Sequence, residues 1–369
     1  MSAVIKKIND IHAVVGQKLK QHERHISAGA LLLGAYFDAI FLPRIDSGIT
    51  YVLIGAYLVI VTFLIIFSAI LLEHFSVSPV RRRIAGAIDI IIPFIIGSLL
   101  SAIFVYYSRS SSLVASAPFM AFLALIILLI ELVRSRLRLL ELRIALLYFI
   151  LIMNMTFAIP VLMGFMGPMT FAVGIASALF FIFVVLLCLF KLSPNIFRSG
   201  RVAIILSIVG ITMLMNLLYF FRLIPPIPLA LRVAEATYGV ERNESGGYTV
   251  LLEANKKIDI GIFSVPTIKI GGGPLYFFSA VFAPVRLETS IVHVWQFYDE
   301  KTSEWMSKRK ISFPVVGGRD FGYRGYSSVL VYPGRWRVRV ETSRGEVLGI
   351  ERFDVVISAA PVLMKSENW

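Results

Sequence analysis

Residues 201–228 read RVAIILSIVGITMLMNLLYFFRLIPPIP. Roughly twenty uncharged, mostly apolar residues lie between Arg201 and Arg222, and at 1.5 Å of rise each they cross the ~30 Å hydrocarbon core of a bilayer. The run closes on Tyr219-Phe220-Phe221-Arg222, where rings suit the headgroup level and a guanidinium reaches water. Pro225, Pro226 and Pro228 then forbid further helix and favour a stiff, extended exit. Upstream of this stretch the sequence reads as membrane. Downstream, the apolar period changes to two, which predicts strands.

Hydrophobic residues make up 57% of the 369-residue chain, too many for an ordinary soluble protein of this length. Seven apolar spans are predicted near 27–43, 49–72, 84–107, 112–133, 144–163, 166–190 and 201–224. The net charge of +13 raises nucleic acid as a partner, but its distribution argues against one. Residues 1–228 carry a net of +10 and residues 229–369 only +3, so most of the excess sits in the connections between spans. Those connections alternate. Lys6, Lys7, Lys18, Lys20 and Arg24 lie before the first span, Arg81 to Arg83 after the second, and Arg134, Arg136, Arg138 and Arg143 after the fourth. Lys191, Arg198 and Arg201 follow the sixth. On the other side stand only Arg44 and Arg109. Cationic loops stay in the cytoplasm, which predicts a cytoplasmic N-terminus and, after seven crossings, a C-terminal domain outside. The single cysteine, Cys188, excludes a disulfide within the chain.

The predicted organisation has four parts. Residues 1–26 form a basic amphipathic arm, with Val4, Ile8, Ile11, Val15 and Leu19 on one helical face suited to an anionic leaflet. Residues 27–224 form an α-helical polytopic membrane bundle. Residues 225–247 are a Pro/Gly linker with a short helical piece from Leu229 to Ala236. Residues 248–369 are an all-β, immunoglobulin-like sandwich. Its expected strands are 248–254, 258–264, 275–283, 290–298, 304–313, 326–332, 335–341 and 346–357. The clearest is Arg335-Trp336-Arg337-Val338-Arg339-Val340-Glu341, with Trp336, Val338 and Val340 inward and the arginines and Glu341 toward water.

His293-Val294-Trp295, then Tyr323-Arg324-Gly325-Tyr326-Ser327-Ser328, then Gly334-Arg335-Trp336-Arg337-Val338, with Gly345 and Phe353, resemble the bacterial family catalogued as domain of unknown function 2914. The resemblance covers roughly residues 285–357, with Tyr326 where a Trp is expected. It implies a bacterial origin and a small periplasmic β module attached to membrane spans, and it implies no activity.

Asp38 and Asp89 are the carboxylates set within spans, and ionisable groups in a bilayer are functional candidates by default. A relay role stands against a structural one, in which Asp89 leans to the inner interface and meets Arg82 or Arg83. Asn154 and Asn216, with Thr156 and Thr212, are polar enough to join helices by hydrogen bonds, and Gly174 with Ala178 gives small-xxx-small spacing. Tyr106 and Tyr107 mark the outer headgroup level.

In the β region, His293 is a ligand or base candidate set against a satisfied core histidine. Trp305, Tyr323, Arg324 and Tyr326 are surface candidates for a ligand, and Trp295 and Trp336 are assigned to the core. Lys308-Arg309-Lys310 and the outward arginines of 335–339 form a basic face, whose bland counterpart is a solvated strand. His22 and His25 alone are too few for a metal site. No phosphate loop or nucleophile elbow is present, since Gly271-Gly272-Gly273 is followed by Pro274.

The sequence thus points to a non-enzymatic bacterial inner-membrane protein. It needs no cofactor or metal and does not bind nucleic acid. Its partners are the lipid bilayer and an envelope protein, glycan or lipid bound by the sandwich. A transporter or channel using Asp38 and Asp89 is the alternative, and a membrane-embedded enzyme the third.

Overall fold

The computed structural model describes residues 48–74, 78–110, 113–133, 136–226, 228–243, 247–254, 265–284, 287–318, 322–358 and 362–368. The expected arm 1–26, the first span with Asp38 and the strand at 258–264 lie outside the described residues.

Six helices come first among the described residues: α1 (Gly48–His74), α2 (Pro79–Ser110), α3 (Leu113–Leu132), α4 (Leu140–Met163), α5 (Pro168–Leu192) and α6 (Pro194–Phe220). Five of them are long and apolar enough to cross a membrane, and α3 contributes a shorter apolar run, Ser116–Ile130. Helices α2 and α6 start earlier than the hydropathy suggests. Pro79 and Pro194 open them, at positions where the missing N–H costs nothing.

Helix α4 is apolar all round and is the centre of the bundle, with Ile144, Leu146 to Met153 and Phe157 buried. Helix α5 lies against it. A Cβ added at Gly174 would stand 3.3 Å from the Met155 carbonyl oxygen, and Ala178 is fully buried, so the small residues set the approach. The flank is the reverse. Phe180 and Phe183 of α5, with Val202, Ile205, Leu206, Val209, Met213 and Phe220 of α6, are exposed. An apolar surface this continuous is suited to lipid rather than water, so the bundle associates with a membrane.

The end of the bundle remote from the β region is tied by polar contacts. The Glu73 carboxylate, at the end of α1, accepts the N–H groups of Asn195 (3.2 Å) and Ile196 (2.9 Å). These are donors that the first turn of α6 leaves without helical partners. His74 Nε2 lies 2.6 Å from the Leu192 carbonyl oxygen, beside the same turn.

Eleven strands follow among the described residues: β1 (Ala230–Thr237), β2 (Gly239–Arg242), β3 (Tyr248–Glu253), β4 (Thr267–Ile270), β5 (Pro274–Phe282), β6 (Glu288–Asp299), β7 (Glu304–Val316), β8 (Tyr323–Leu330), β9 (Gly334–Thr342), β10 (Val347–Ile357) and β11 (Met364–Asn368). They form a five-stranded sheet ordered β4-β10-β9-β6-β7, a three-stranded sheet β1-β5-β8, and a second three-stranded sheet β11-β3-β2. Trp295, Trp336, Val338, Val340 and Phe353 from the first sheet meet Leu275, Phe277 and Val281 from the second in one core. Phe278, on the opposite face of β5, packs with Val240, Val250 and Leu252 of the third sheet. Strand β5 is therefore covered on both faces, which is why PLYFFSAVF reads as a nearly unbroken apolar run.

The region expected as a helical linker is corrected. Leu229-Ala230-Leu231-Arg232-Val233-Ala234-Glu235-Ala236 contains good helix formers, yet Ala230–Thr237 pairs antiparallel with β5, Ala234 opposite Ser279. Tertiary pairing overrides propensity here. Strand β2, also within the expected linker, and strands β4 and β11 are not among the expected strands either.

The β region sits on the bundle at a defined seam. Tyr219, near the end of α6, stacks on Phe171 of α5 with ring centroids 3.7 Å apart. The Arg344 guanidinium lies 4.5 Å from the centre of the Tyr219 ring and donates to its hydroxyl. Arg344 also pairs with Glu346 at 3.2 Å, and Glu346 accepts a 2.9 Å bond from the Thr342 hydroxyl. Nearby, the Glu288 N–H donates to the Gly164 carbonyl at 3.0 Å, and Met166 joins the β core.

Gly325 of β8 faces the Phe313 ring of β7 so closely that a Cβ there would enter the ring. Gly325→Ala is expected to lower stability by about 1–3 kcal/mol through overpacking. Thermal unfolding of the full chain in detergent measures this, and a midpoint equal to that of the parent refutes it.

Candidate functional site

The residues proposed from sequence do not come together. His293 is fully buried between the two main sheets. Its Nε2 lies 2.8 Å from the Ser279 hydroxyl and its Nδ1 lies 2.8 Å from the Ser327 hydroxyl. Trp295 Nε1–H donates to the same Ser327 oxygen at 2.9 Å. The set closes if Ser327 accepts the indole proton and donates its own to Nδ1, which leaves Nε2–H to donate to Ser279. Phe277 and Phe313 stand edge-on to the imidazole, each 4.9 Å away.

Burial holds the His293 pKa down at about 3, so the ring is neutral at ordinary pH. A serine beside a histidine is the beginning of nucleophilic chemistry, but these hydroxyls are buried and both ring nitrogens are engaged. The group acts as a polar pin inside an apolar core. Neither serine was named as a site candidate. Two signals were legible: Ser327 stands in the Tyr323-to-Ser328 motif quoted for the family resemblance, and Ser279 is the only polar residue at an inward position of β5.

Tyr323 packs against the same core. Arg324 and Tyr326 lie opposite Ala280 and Phe278 of β5, and Tyr326 is 45% exposed beside Tyr248 and Tyr276. Trp305 belongs to a different surface, the outer face of the five-stranded sheet.

That face is the candidate binding site. Alternation along β9 turns Trp336, Val338 and Val340 inward and Arg335, Arg337 and Arg339 outward. Arg352 of β10 pairs with Arg337, and Lys310 of β7 lies across β6 from Arg339, through Val294. Aromatic rings support the cations. The Arg337 guanidinium is 4.3 Å from the centre of the Trp305 ring, and that of Arg335 is 5.4 Å from Tyr298. Arg337 Nε also donates to Gln296 Oε1 at 2.7 Å.

Partial burial, then the neighbouring Arg339 and Arg352, lower the Arg337 pKa to about 10. Glu341 offers a carboxylate at 2.6 Å from Arg339 Nε, and burial raises its own pKa against the pull of Arg339, Lys310, Arg222 and Arg337. Around the sheet edge, Lys308 and Arg309 border an open groove of about 460 Å³ shared with Leu330, Tyr332 and Trp336, a size that admits a small ligand.

Inside the bundle, Asp89 is paired with residues other than the expected Arg83, while the Arg82 side chain lies outside the described residues. The partner missed from sequence is Arg143, in the first turn of α4 and only 3% exposed. Its Nη2 is 2.6 Å from Asp89 Oδ1, its Nε donates to the Leu137 carbonyl at 2.6 Å and its Nη1 to the Ser68 hydroxyl at 3.1 Å. Arg138 Nε approaches Asp89 at 3.3 Å from the solvent side. Asp89 is thus the counter-ion of a buried arginine.

Asn154 donates to the Ile150 carbonyl at 2.8 Å and Asn216 to the Thr212 carbonyl at 2.8 Å, both within their own helices. The helices are joined instead by Tyr148 to Thr212 at 2.6 Å and Tyr107 to Thr156 at 2.9 Å. Tyr106 and Tyr107 are fully buried, and Tyr107 lines a cavity with Tyr219 and Arg344 at the end of the bundle that carries the β region. Among the described residues, no three His, Cys, Asp or Glu side chains gather as a metal site.

These features define a class: a membrane-associated helical bundle carrying a β module with a cation-rich outer face. Comparison with protein families then matches residues 288–355 to the family described as "Protein of unknown function (DUF2914)". This is the stretch that holds β6 to β10, His293 and the arginine column. The comparison with curated proteins gave no match. Among solved structures, an alkylpurine DNA glycosylase AlkC of Pseudomonas fluorescens, bound to DNA containing an abasic site analog, is 11% identical, with a TM-score of 0.23, covering 76% of this chain and 83% of its own.

Two outcomes follow from the buried groups. The unfolded chain binds the His293 proton more tightly than the folded one. The histidine's contribution is therefore complete above about pH 6.5 and is lost as pH falls toward 3. Between pH 7.5 and 4.5 this term should remove about 2–3 kcal/mol. His293→Gln should flatten that part of the thermal-midpoint profile, and an unchanged slope refutes it. Asp89→Asn leaves Arg143 uncompensated and should cost about 3–5 kcal/mol, while Asp89→Leu with Arg143→Met should recover most of it. The yield of folded protein in membranes reads both.

Proposed function

We propose that this protein is a multi-pass bacterial inner-membrane anchor that presents a binding module to the periplasm. Its seven spans place the N-terminus in the cytoplasm, and its immunoglobulin-like sandwich, extended by a third sheet, engages an envelope partner. The cation–aromatic outer face built on β9 carries this reading. It is an ordered, solvent-facing surface on a module that is seated firmly on the bundle.

Sidedness supports the orientation. Arg81, Arg136, Arg138, Lys191 and Arg198 lie near the helix ends that Glu73 and His74 tie together. The β region occupies the opposite end, against Gly164, Phe171 and Tyr219. Positive loops remain in the cytoplasm, so the module goes outside. The Asp89–Arg143 pair supports a structural role for one of the two carboxylates on which a relay would depend.

With Cys188→Ala as background, Thr302→Cys at the exposed β6–β7 turn should react with a membrane-impermeant maleimide in intact spheroplasts. A photo-crosslinking residue at Glu300, exposed beside Arg335 at the tip of the outer face, should yield an adduct in intact cells. Labelling only after permeabilisation would sink the orientation, and absence of any adduct would sink the binding role.

A further inference from the structure

The outer face of the five-stranded sheet has a direction. Strand β9 ends at Thr342, and the turn that follows brings Arg344 onto Tyr219 and Gly345 beside the Arg222 guanidinium. Strand β6 runs antiparallel to it and starts at Glu288, hydrogen-bonded to Gly164. Both strands are therefore anchored to the helices at one end. Their other ends, at Phe297 and Gly334, make up the tip remote from the bundle. Outward residues of β9 recur about every 7 Å. Counting from Arg344, Arg339 stands up to about 17 Å and Arg335 up to about 30 Å along the strand. The interfacial layer of a bilayer is only about 5–8 Å deep on each side. With β9 leading away from the bundle, headgroups of the supporting membrane would meet Arg222 at the foot of the column before Arg337 and Arg335 at its head.

The face is strongly one-sided in charge. Arg335, Arg337, Arg339, Arg352 and Lys310 share it with Glu341 and Asp354. Arg339 is balanced by Glu341 at 2.6 Å, whereas the carboxylate nearest Arg335 is Glu300 at 3.9 Å. Arg337 is fixed by Gln296 and Trp305, a neutral amide and a ring, while arginines flank it on two sides. Like charges held this close repel, and an anion running along the column relieves that repulsion. Guanidinium groups fixed on rings and amides have already lost much of their freedom, which lowers the cost of docking.

We propose that this column, Arg335–Arg337–Arg339 with Arg352 and Lys310 beside it, binds an extended anionic glycan, one carrying carboxylate or phosphate groups along its length. The identity of the polymer as a glycan rests on the periplasmic placement proposed above. The cationic surface itself does not.

Full-length protein in phosphatidylcholine nanodiscs is titrated with fluorescent dextran sulfate, neutral dextran of equal length, and inorganic sulfate as competitor. Dextran sulfate should bind, more weakly as salt rises, and neutral dextran should not. Arg335→Gln/Arg337→Gln/Arg339→Gln should raise the dissociation constant by at least about tenfold, as the loss of three ionic contacts requires. Lys308→Gln/Arg309→Gln, on the groove side, should change it by less than about twofold. The single variant Arg335→Gln, exposed at the tip, should itself weaken binding by about two- to threefold and keeps the test valid should the triple variant misfold.

Equal affinity of parent and Arg335→Gln, or binding of neutral dextran, overturns the proposal. So does full displacement by inorganic sulfate at matched charge, or stronger binding to phosphatidylglycerol vesicles than to the polymer. Polymer binding in a protein whose Thr302→Cys labels only after permeabilisation overturns the periplasmic placement and the glycan identity. Outside labelling without polymer binding overturns this inference and leaves the placement standing.

Discussion

The structure turns on the contact between one tyrosine and one arginine. Tyr219 closes the last helix, lies flat on Phe171 and receives the Arg344 side chain from the β9–β10 turn. Through it, the orientation of a helix fixes the orientation of a sheet. Without that contact the prolines at 225, 226 and 228 would still deliver a β domain, but on a tether. With it, the column of arginines on β9 has a foot at the membrane and a head away from it. Glu346 and Thr342 extend the seam by supplying a counter-charge and a hydroxyl at the same turn.

The two most suggestive polar groups of the chain belong to its framework. Asp89 looked like a carboxylate stranded in a span, and His293 like an isolated base on a strand. Each is explained by what surrounds it. A buried guanidinium needs an anion, and Asp89 provides it at the end of the most buried helix. An imidazole enclosed by Phe277 and Phe313 needs two hydroxyls, and Ser279 and Ser327 provide them. Both arrangements specify which elements lie next to each other, since an apolar contact tolerates a shift and a closed hydrogen-bond set does not.

Much of this was readable from residues alone, and the unreadable part has a common cause. Five of the expected spans announced themselves by length and hydropathy, because the bilayer sets a minimum length that chance rarely reaches, while the expected span at 112–133 holds only the shorter apolar run Ser116–Ile130. The inward set Trp336, Val338 and Val340 followed from period two. What failed depended on partners far along the chain. Strand β1 has helix-forming residues and becomes a strand because β5, some forty residues later, offers it an edge. Arg143 was counted among loop cations, since nothing nearby reveals that it turns back toward residue 89. The surface candidates are scattered for a related reason. Trp305, Tyr323 and Tyr326 are close in type, but Trp305 lies on the five-stranded sheet while Tyr323 and Tyr326 take opposite faces of β8, and only the fold decides which face a strand residue shares with a neighbour.

Strand β11 pairs with β3 over Thr249 to Glu253, and β4 lies parallel to β10 across more than eighty residues of sequence. A ribosome releases these partners in order, so β3 waits with an unpaired edge until residues 364–368 have been made. The helices, by contrast, can form within each segment as it enters the bilayer. Biogenesis of this chain is therefore split in time: insertion runs alongside translation, and closure of the β module follows it. During that interval the open edge of β3 is the part most in need of protection by a chaperone.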